Sequence, residues 1–243
     1  MTKEKLYLFD IDGTLTKPRQ KMNPEFLEVF MEWASDKKVY LVTGSDFPKV
    51  VEQLGEEVLD ACDGVFTCSG NVFRVNGRVV YRNHFEITNE LRSDLELYLD
   101  NSTWKTRTGR HFEIRPGMLN FSTVGRNANQ NMRETYNRWD KRVCEREDIV
   151  DYLSKLHPEL EVAIGGSISV DIYPKGKNKS QVVEKLKEIH GEADMVFVGD
   201  RCQPGGNDHS LAILLDSIDG SCYYNVHGPE ETRSLLEYDE IFT

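Results

Sequence analysis

The sequence predicts an α/β fold: an open parallel sheet whose chain is interrupted by an inserted α+β domain. Three observations carry this. Short apolar runs over residues 5–9, 38–42 and 195–198 each stop at a polar or glycine residue, as strands covered on both faces do. Helical periodicity follows over residues 24–33, 47–59 and 179–189, and strands alternating with helices imply βαβ units. The middle of the chain reads differently. Residues 72–81 alternate around Asn76-Gly77, the strongest short hairpin signal. A helix near 89–99, strands near 112–115 and 119–124, a long polar helix from about 129, and strands near 161–164 and 168–173 follow. We read residues 1–80 and 175–243 as two parts of one core, and residues 81–174 as an inserted α+β domain of ordinary small-domain size.

Composition narrows the function classes. With 39% hydrophobic and 10% aromatic residues the chain has enough apolar surface for a sizeable core, which excludes disorder. A formal charge of −11 excludes a general nucleic-acid or acidic-membrane binder, so an anionic substrate needs a local basic pocket. Five cysteines, at 62, 68, 144, 202 and 222, are odd in number and never spaced as CxxC, which suggests neither a disulfide framework nor a zinc site. No apolar run reaches 18 residues, and the start lacks the pattern of a secretory signal. The expectation is a reduced, cytoplasmic protein with no membrane or nucleic-acid partner, in which the sequons at Asn101, Asn120 and Asn178 carry no meaning.

Asp10-Ile11-Asp12-Gly13-Thr14 follows the first predicted strand directly. In an open α/β sheet the ligand crevice lies beyond the carboxyl ends of the strands, so both aspartates should face it. One carboxylate can attack phosphorus while the other moves a proton, and a divalent metal offsets their repulsion. A solvated acidic turn has the same short pattern. Three further pieces favour the chemistry. Thr43-Gly44-Ser45 puts hydroxyls at a second strand end, Lys179 opens a predicted helix, and Gly199-Asp200 ends a third strand ahead of Asn207-Asp208. Hydroxyl and lysine can hold phosphate oxygens while the distal aspartates complete a metal shell, which together make a phosphoryl-transfer set.

These pieces, in this order, resemble the haloacid dehalogenase (HAD) superfamily, with a Rossmann-like core and an inserted cap. The likeness tightens at Asp10 to Gln20 (DIDGTLTKPRQ), Gly44-Ser45-Asp46-Phe47, Arg115-Pro116-Gly117-Met118-Leu119-Asn120, Val124-Gly125-Arg126 and Pro204-Gly205-Gly206-Asn207-Asp208-His209. These strings resemble the eukaryotic-type phosphomannomutases over nearly the whole chain. The resemblance implies that Asp10 becomes a phosphoaspartate and that Asp12 is the general acid/base, with Thr43, Ser45 and Lys179 around them. It implies Mg²⁺ on Asp10, the main-chain carbonyl of Asp12, and Asp200, with Asp208 beside them. It also implies that Arg19 from the core and Arg115, Arg126, Arg133, Ser169 and Asp171 from the cap hold a hexose phosphate. A hexose 1,6-bisphosphate activator and homodimerisation through the cap belong to the same implication. The activity would be interconversion of mannose 6-phosphate and mannose 1-phosphate, with glucose phosphates and a sugar-phosphate phosphatase as alternatives.

The residues give independent support. Alternation over 112–115 puts Phe112 and Ile114 on one face and Glu113 and Arg115 on the other. Over 168–173 it turns Ile168, Val170 and Ile172 inward and leaves Ser169 and Asp171 outward. One cap face is then apolar, and the other carries a cation, a hydroxyl and a carboxylate. His209 reads as structural or as supporting the site from behind. Several positions depart from the family pattern: Thr123 stands where a proline is usual, Thr67-Cys68-Ser69-Gly70 replaces Pro-Glu-Asn-Gly, and Arg201-Cys202 replaces Lys-Thr. Residues 210–228 lack Asp-Pro-Arg-Thr, leaving a second cation site there unsupported.

Overall fold

A computed structural model describes residues 3–238. The chain runs β1 (Lys5–Phe9), α1 (Pro24–Ala34), β2 (Lys38–Val42), α2 (Phe47–Ala61), β3 (Gly64–Thr67), β4 (Val72–Val75) and β5 (Arg78–Arg82). Then come α3 (Asn89–Asn101), β6 (Phe112–Arg115), β7 (Met118–Phe121), α4 (Gln130–Val143), α5 (Glu145–Leu156), β8 (Leu160–Gly165) and β9 (Ser169–Pro174). It closes with α6 (Gln181–His190), β10 (Asp194–Gly199), α7 (His209–Asp216), β11 (Cys222–Asn225) and α8 (Pro229–Glu237).

Seven strands form one sheet in the order β11-β10-β1-β2-β3-β4-β5. The first five are parallel, and the β4–β5 hairpin extends the edge antiparallel. Asn76 and Gly77 both take positive φ in the two-residue turn, as a right-twisted hairpin requires. The central strands read as unbroken apolar runs because both faces are covered. Tyr7 and Phe9 of β1 pack with Phe30 and Trp33 of α1 on one side; Leu6 and Leu8 pack with α6 and α7 on the other. From β1 the chain steps outward to β3, then returns through β10 on the opposite flank. That reversal opens a crevice beyond the ends of β1 and β10.

The second sheet, β6-β7-β9-β8, is antiparallel and built wholly from residues 112–174. One face packs Leu119, Phe121, Val170 and Ile172 against Leu91 and Leu95 of α3 and Ile149 and Leu153 of α5. The other face carries Glu113, Arg115, Asn120, Ser169 and Asp171, all buried. Their burial comes from the core sheet's loops closing over them, which alternation within one strand does not reveal. Ile114 departs from the apolar-face reading: it is 62% exposed, because the helices do not reach the edge strand at that position. The polar helix from about 129 is two helices that meet at Cys144, whose φ of 60° breaks the helical path. Lys179 does not open α6 but lies two residues ahead of it, in the connecting turn.

Contacts tie the two sheets together. Arg115 Nη1 donates to Gly44 O at 2.9 Å, Arg201 Nη2 to Gly166 O at 2.9 Å, and Ile164 N to Gly205 O at 3.3 Å. Cys68 packs with Met118, Ala163 and Tyr173 in a small apolar cluster across the junction. Gly117, at φ +67°, lies against Asn71, and a Cβ there would stand 2.4 Å from Asn71 Cγ. Asn71 cannot yield easily, since its Nδ2 donates to Cys68 O and Lys177 O. Gly117→Ala should therefore destabilise the protein by more than the roughly 1–2 kcal/mol of a left-handed alanine alone. Urea unfolding checks this, and a loss below about 1 kcal/mol would show the junction to be more yielding than drawn.

Candidate active site

Asp10 and Asp200 follow β1 and β10 directly, and the register that pairs Phe9 with Val198 sets them side by side. Asp10 N donates to Val198 O at 2.9 Å. Gly13 makes the approach of the two loops feasible, since a Cβ on it would stand 2.3 Å from Asp200 Oδ2. Lys179, fully buried, donates to Asp10 Oδ1 at 2.6 Å and to Asp208 Oδ1 at 2.5 Å. Asp208 Oδ2 accepts from Arg201 N at 3.0 Å. Asp10, Asp200 and Asp208 bring one oxygen each within 4.8 Å of one another.

Asp10 and Asp208 thus share one ammonium, with Asp200 a third carboxylate beside them. Burial drives the Asp10 carboxyl well above its ordinary value against the pull of Lys179, and Asp208 and Asp200 push the same way. Burial, then Asp208, raises Asp200 to about 7, with Arg201 and Lys179 opposing. Burial alone would neutralise Lys179, but Asp10 and Asp208 hold it protonated above the usual lysine range. An oxygen-only cluster with surplus negative charge fits a hard divalent cation.

The Asp12 carboxylate points elsewhere. Oδ2 accepts from Ser45 Oγ at 2.9 Å, and Oδ1 accepts from Arg19 N and Gln53 Nε2, each at 3.0 Å. Thr43 Oγ1 accepts from Ser45 N at 3.0 Å and so fixes the turn that carries Ser45. Asp12 is held at the cleft by three donors, with its side chain outside the Asp10–Asp200–Asp208 group.

The opposite wall of this cleft is cationic. Arg115, Arg126 and Arg133 line it, with Ser169 and Asp171, and Arg19 joins them from the core loop that holds Asp12. Asn120 Nδ2 donates to Ser169 Oγ at 3.0 Å and to Asp171 Oδ1 at 2.6 Å, which aligns that pair. Glu113 organises the arginines. It pairs with Arg115, with Arg126 Nε at 3.0 Å and with Arg110 at 2.9 Å. Burial would raise its pKa, but Arg115 and Arg126 hold it ionised, down to about 2. Burial, then Arg19 and Arg126, pulls Arg133 to about 10, so the wall keeps a surplus of positive charge.

The structure therefore brings every residue singled out in the sequence to one cleft, with Lys179 and Asp208 behind its floor. His209 is in none of these contacts; its Nδ1 lies 2.8 Å from Cys202 O at the start of α7. Glu113, Gln53 and Asn120 were not singled out. Glu113 shares the Arg115 face by simple alternation, which was the available signal. Gln53 interrupts the buried stripe Val50, Leu54 and Val58 of α2, and a polar group at a core position is a sign of a polar task.

The profile describing the eukaryotic phosphomannomutases matches residues 26–243. The chain belongs to this family. It is 35% identical over 218 residues to a phosphomannomutase of Triticum aestivum, covering 85% of each chain. With that of Solanum lycopersicum it shares 34% over 233 residues, 93% of this chain and 90% of the other. Among solved structures, the C-terminal domain of C. albicans trehalose-6-phosphate phosphatase superposes with a TM-score of 0.66 at 17% identity, covering 98% of this chain and 92% of that one. A haloacid dehalogenase-like hydrolase from Bacteroides thetaiotaomicron gives 0.59 at 13% identity, covering 98% and 100%. At these identities the structural likeness shows the fold alone, a parallel-sheet core with a second sheet set into it.

The raised carboxylates give a signed pH dependence. Between about pH 4 and 7 the folded protein holds a proton on Asp200 that the unfolded chain releases, so ionising it on the way up costs stability. A divalent cation held by the cluster would replace that proton. Magnesium should therefore raise the melting temperature more at pH 8 than at pH 5, measured by calorimetry on chelator-treated protein. Equal stabilisation at both values would mean the cluster does not hold the ion.

Proposed function

We propose that this protein is a phosphohexomutase that interconverts mannose 6-phosphate and mannose 1-phosphate through a phosphoaspartate and a hexose 1,6-bisphosphate. One observation carries the reading: a carboxylate–lysine centre and a cluster of arginines face each other across a single cleft. A mutase needs two phosphate sites around one sugar, and the cleft offers a reacting end and a holding end.

Hexose 1,6-bisphosphate first charges the enzyme: an Asp10 oxygen attacks phosphorus, the bond from phosphorus to the sugar oxygen breaks, and Asp12 gives that oxygen a proton. A hexose monophosphate then meets the phosphoaspartate; its free hydroxyl loses a proton to Asp12 and takes the phosphoryl group, which returns Asp10 to the carboxylate and forms the bisphosphate. The bisphosphate turns over, and Asp10 takes the phosphate at its other end, leaving the isomeric monophosphate and the phosphoaspartate for the next turn. Asp10, Asp200 and Asp208 are suited to hold Mg²⁺, with the Asp12 carbonyl beside them, and when bound it supplies the positive charge that favours ionised Asp10 against phosphate. Ser45 and Gln53 keep the Asp12 carboxylate aimed at the cleft. The arginines take the distal phosphate in bidentate fashion, while Ser169 and Asp171 suit sugar hydroxyls. The contacts that close the second sheet over Asp10 limit water, which separates a mutase from a phosphatase on the same scaffold. Five free cysteines support a reducing, cytoplasmic setting.

The test is the purified protein with mannose 1-phosphate, Mg²⁺ and a catalytic amount of hexose bisphosphate. Net isomerisation is the expected result, and release of inorganic phosphate alone would overturn the mutase in favour of a hydrolase. Asp10→Asn should abolish turnover while leaving bisphosphate binding measurable by calorimetry. Arg115→Ala or Arg126→Ala should weaken the phosphosugar by roughly 1.5–3 kcal/mol, the worth of a hydrogen bond to a charged group.

A further inference from the structure

Lys49 lies in the first turn of α2, on the core side of the cleft, and nothing in the chemistry above uses it. Its side chain is largely enclosed, and its Nζ is buried without a hydrogen bond among the described residues. Two carboxylates pair with it at long range without a hydrogen bond: Asp46, just ahead of the same helix, at 3.4 Å and Glu113 of β6 at 3.7 Å. Glu113 is already shared by Arg110, Arg115 and Arg126. Arg115 and Arg126, facing Lys49 from the second sheet, repel it. Burial, then Arg115, accordingly pulls the ammonium below the usual lysine value, while Glu113 and Asp46 oppose.

A buried ammonium with two long ion pairs and no hydrogen bond costs stability, since its hydration is lost and only partly replaced. Such a group persists where a ligand completes its bonding. Lys49 lines the same cleft as Arg115, Arg126 and Arg133, where positive charge is in surplus. The space it faces is where a phosphate held by those arginines would sit.

We propose that Lys49 is a phosphate-binding residue of the cleft, supplied by the core to the same anion that the arginines of the second sheet hold. A phosphate there would be gripped from both bodies, so binding it would itself draw the second sheet onto the core. This inference rests on the reading of the cleft as a phosphosugar site, and the test is chosen to separate the two.

The test is calorimetric binding of mannose 1-phosphate, and separately of inorganic phosphate, to the full chain carrying Asp10→Asn, alone and combined with Lys49→Met or Lys49→Arg. Lys49→Met should weaken both ligands about 10- to 100-fold, the range for one hydrogen bond to a charged group, while Lys49→Arg stays close to the parent. The melting temperature of ligand-free Lys49→Met should equal or exceed the parent's, which a structural lysine would not allow. Unchanged affinity in Lys49→Met, or equal weakening by Met and Arg, overturns the inference. Lys49-dependent binding of inorganic phosphate without binding of mannose 1-phosphate would support the inference and overturn the phosphosugar reading. Failure of the parent to bind either ligand would overturn both.

Discussion

The ammonium of Lys179, buried between Asp10 and Asp208, is the interaction on which the rest of the structure depends. Three segments distant in sequence converge on it: the end of β1, the turn before α6 and the loop before α7. Taking one member from such a buried set leaves an uncompensated charge, typically about 3–5 kcal/mol. The lysine therefore fixes both the fold of the core's catalytic edge and the protonation of its residues. It is also insufficient, because Asp200 and Asp10 stay above their ordinary values with Lys179 in place. A core edge that is short of positive charge by design faces a second sheet that has it in excess.

That separation of charge explains the inserted sheet. Its β6, β7 and β9 place alternate residues toward the core, and those residues are polar where the opposite set packs on helices. Glu113 restrains two arginines that would otherwise repel each other, and Asn120 aligns Ser169 with Asp171. The arginines are thus ordered before a ligand arrives, which lowers the entropy lost on binding. Arg201 adds a guanidinium contact from core to Gly166. Cys68 joins an apolar cluster at the same junction. Both residues fall on the seam between the two sheets, and Arg201 also reaches the carboxylate centre, through its N–H on Asp208 and its guanidinium beside Asp200.

Much of this was legible in the sequence, for identifiable reasons. Strand ends are local signals, so Asp10, Thr43 and Asp200 could be read from apolar runs that stop. The parallel sheet and its reversal then followed from strand–helix alternation. The pairing of Glu113 with arginines from two loops was not legible, because a carboxylate two residues from an arginine usually marks a solvated surface. Gln53 was hidden for the opposite reason: its helix reads as amphipathic, and nothing local says which buried position faces Asp12. Burial of Ser169 and Asp171, and exposure of Ile114, depend on where the second sheet meets the core and where its helices stop. Alternation gives a face its members, while tertiary contact decides what that face meets.

The account stands on Asp10 carrying phosphate covalently. Rapid acid quenching after mixing with radiolabelled hexose 1,6-bisphosphate, followed by peptide mapping, tests this most directly. The account predicts hydroxylamine-labile label on the peptide containing Asp10, formed as fast as turnover. Turnover with no label on that peptide, or with label on another residue, would contradict it.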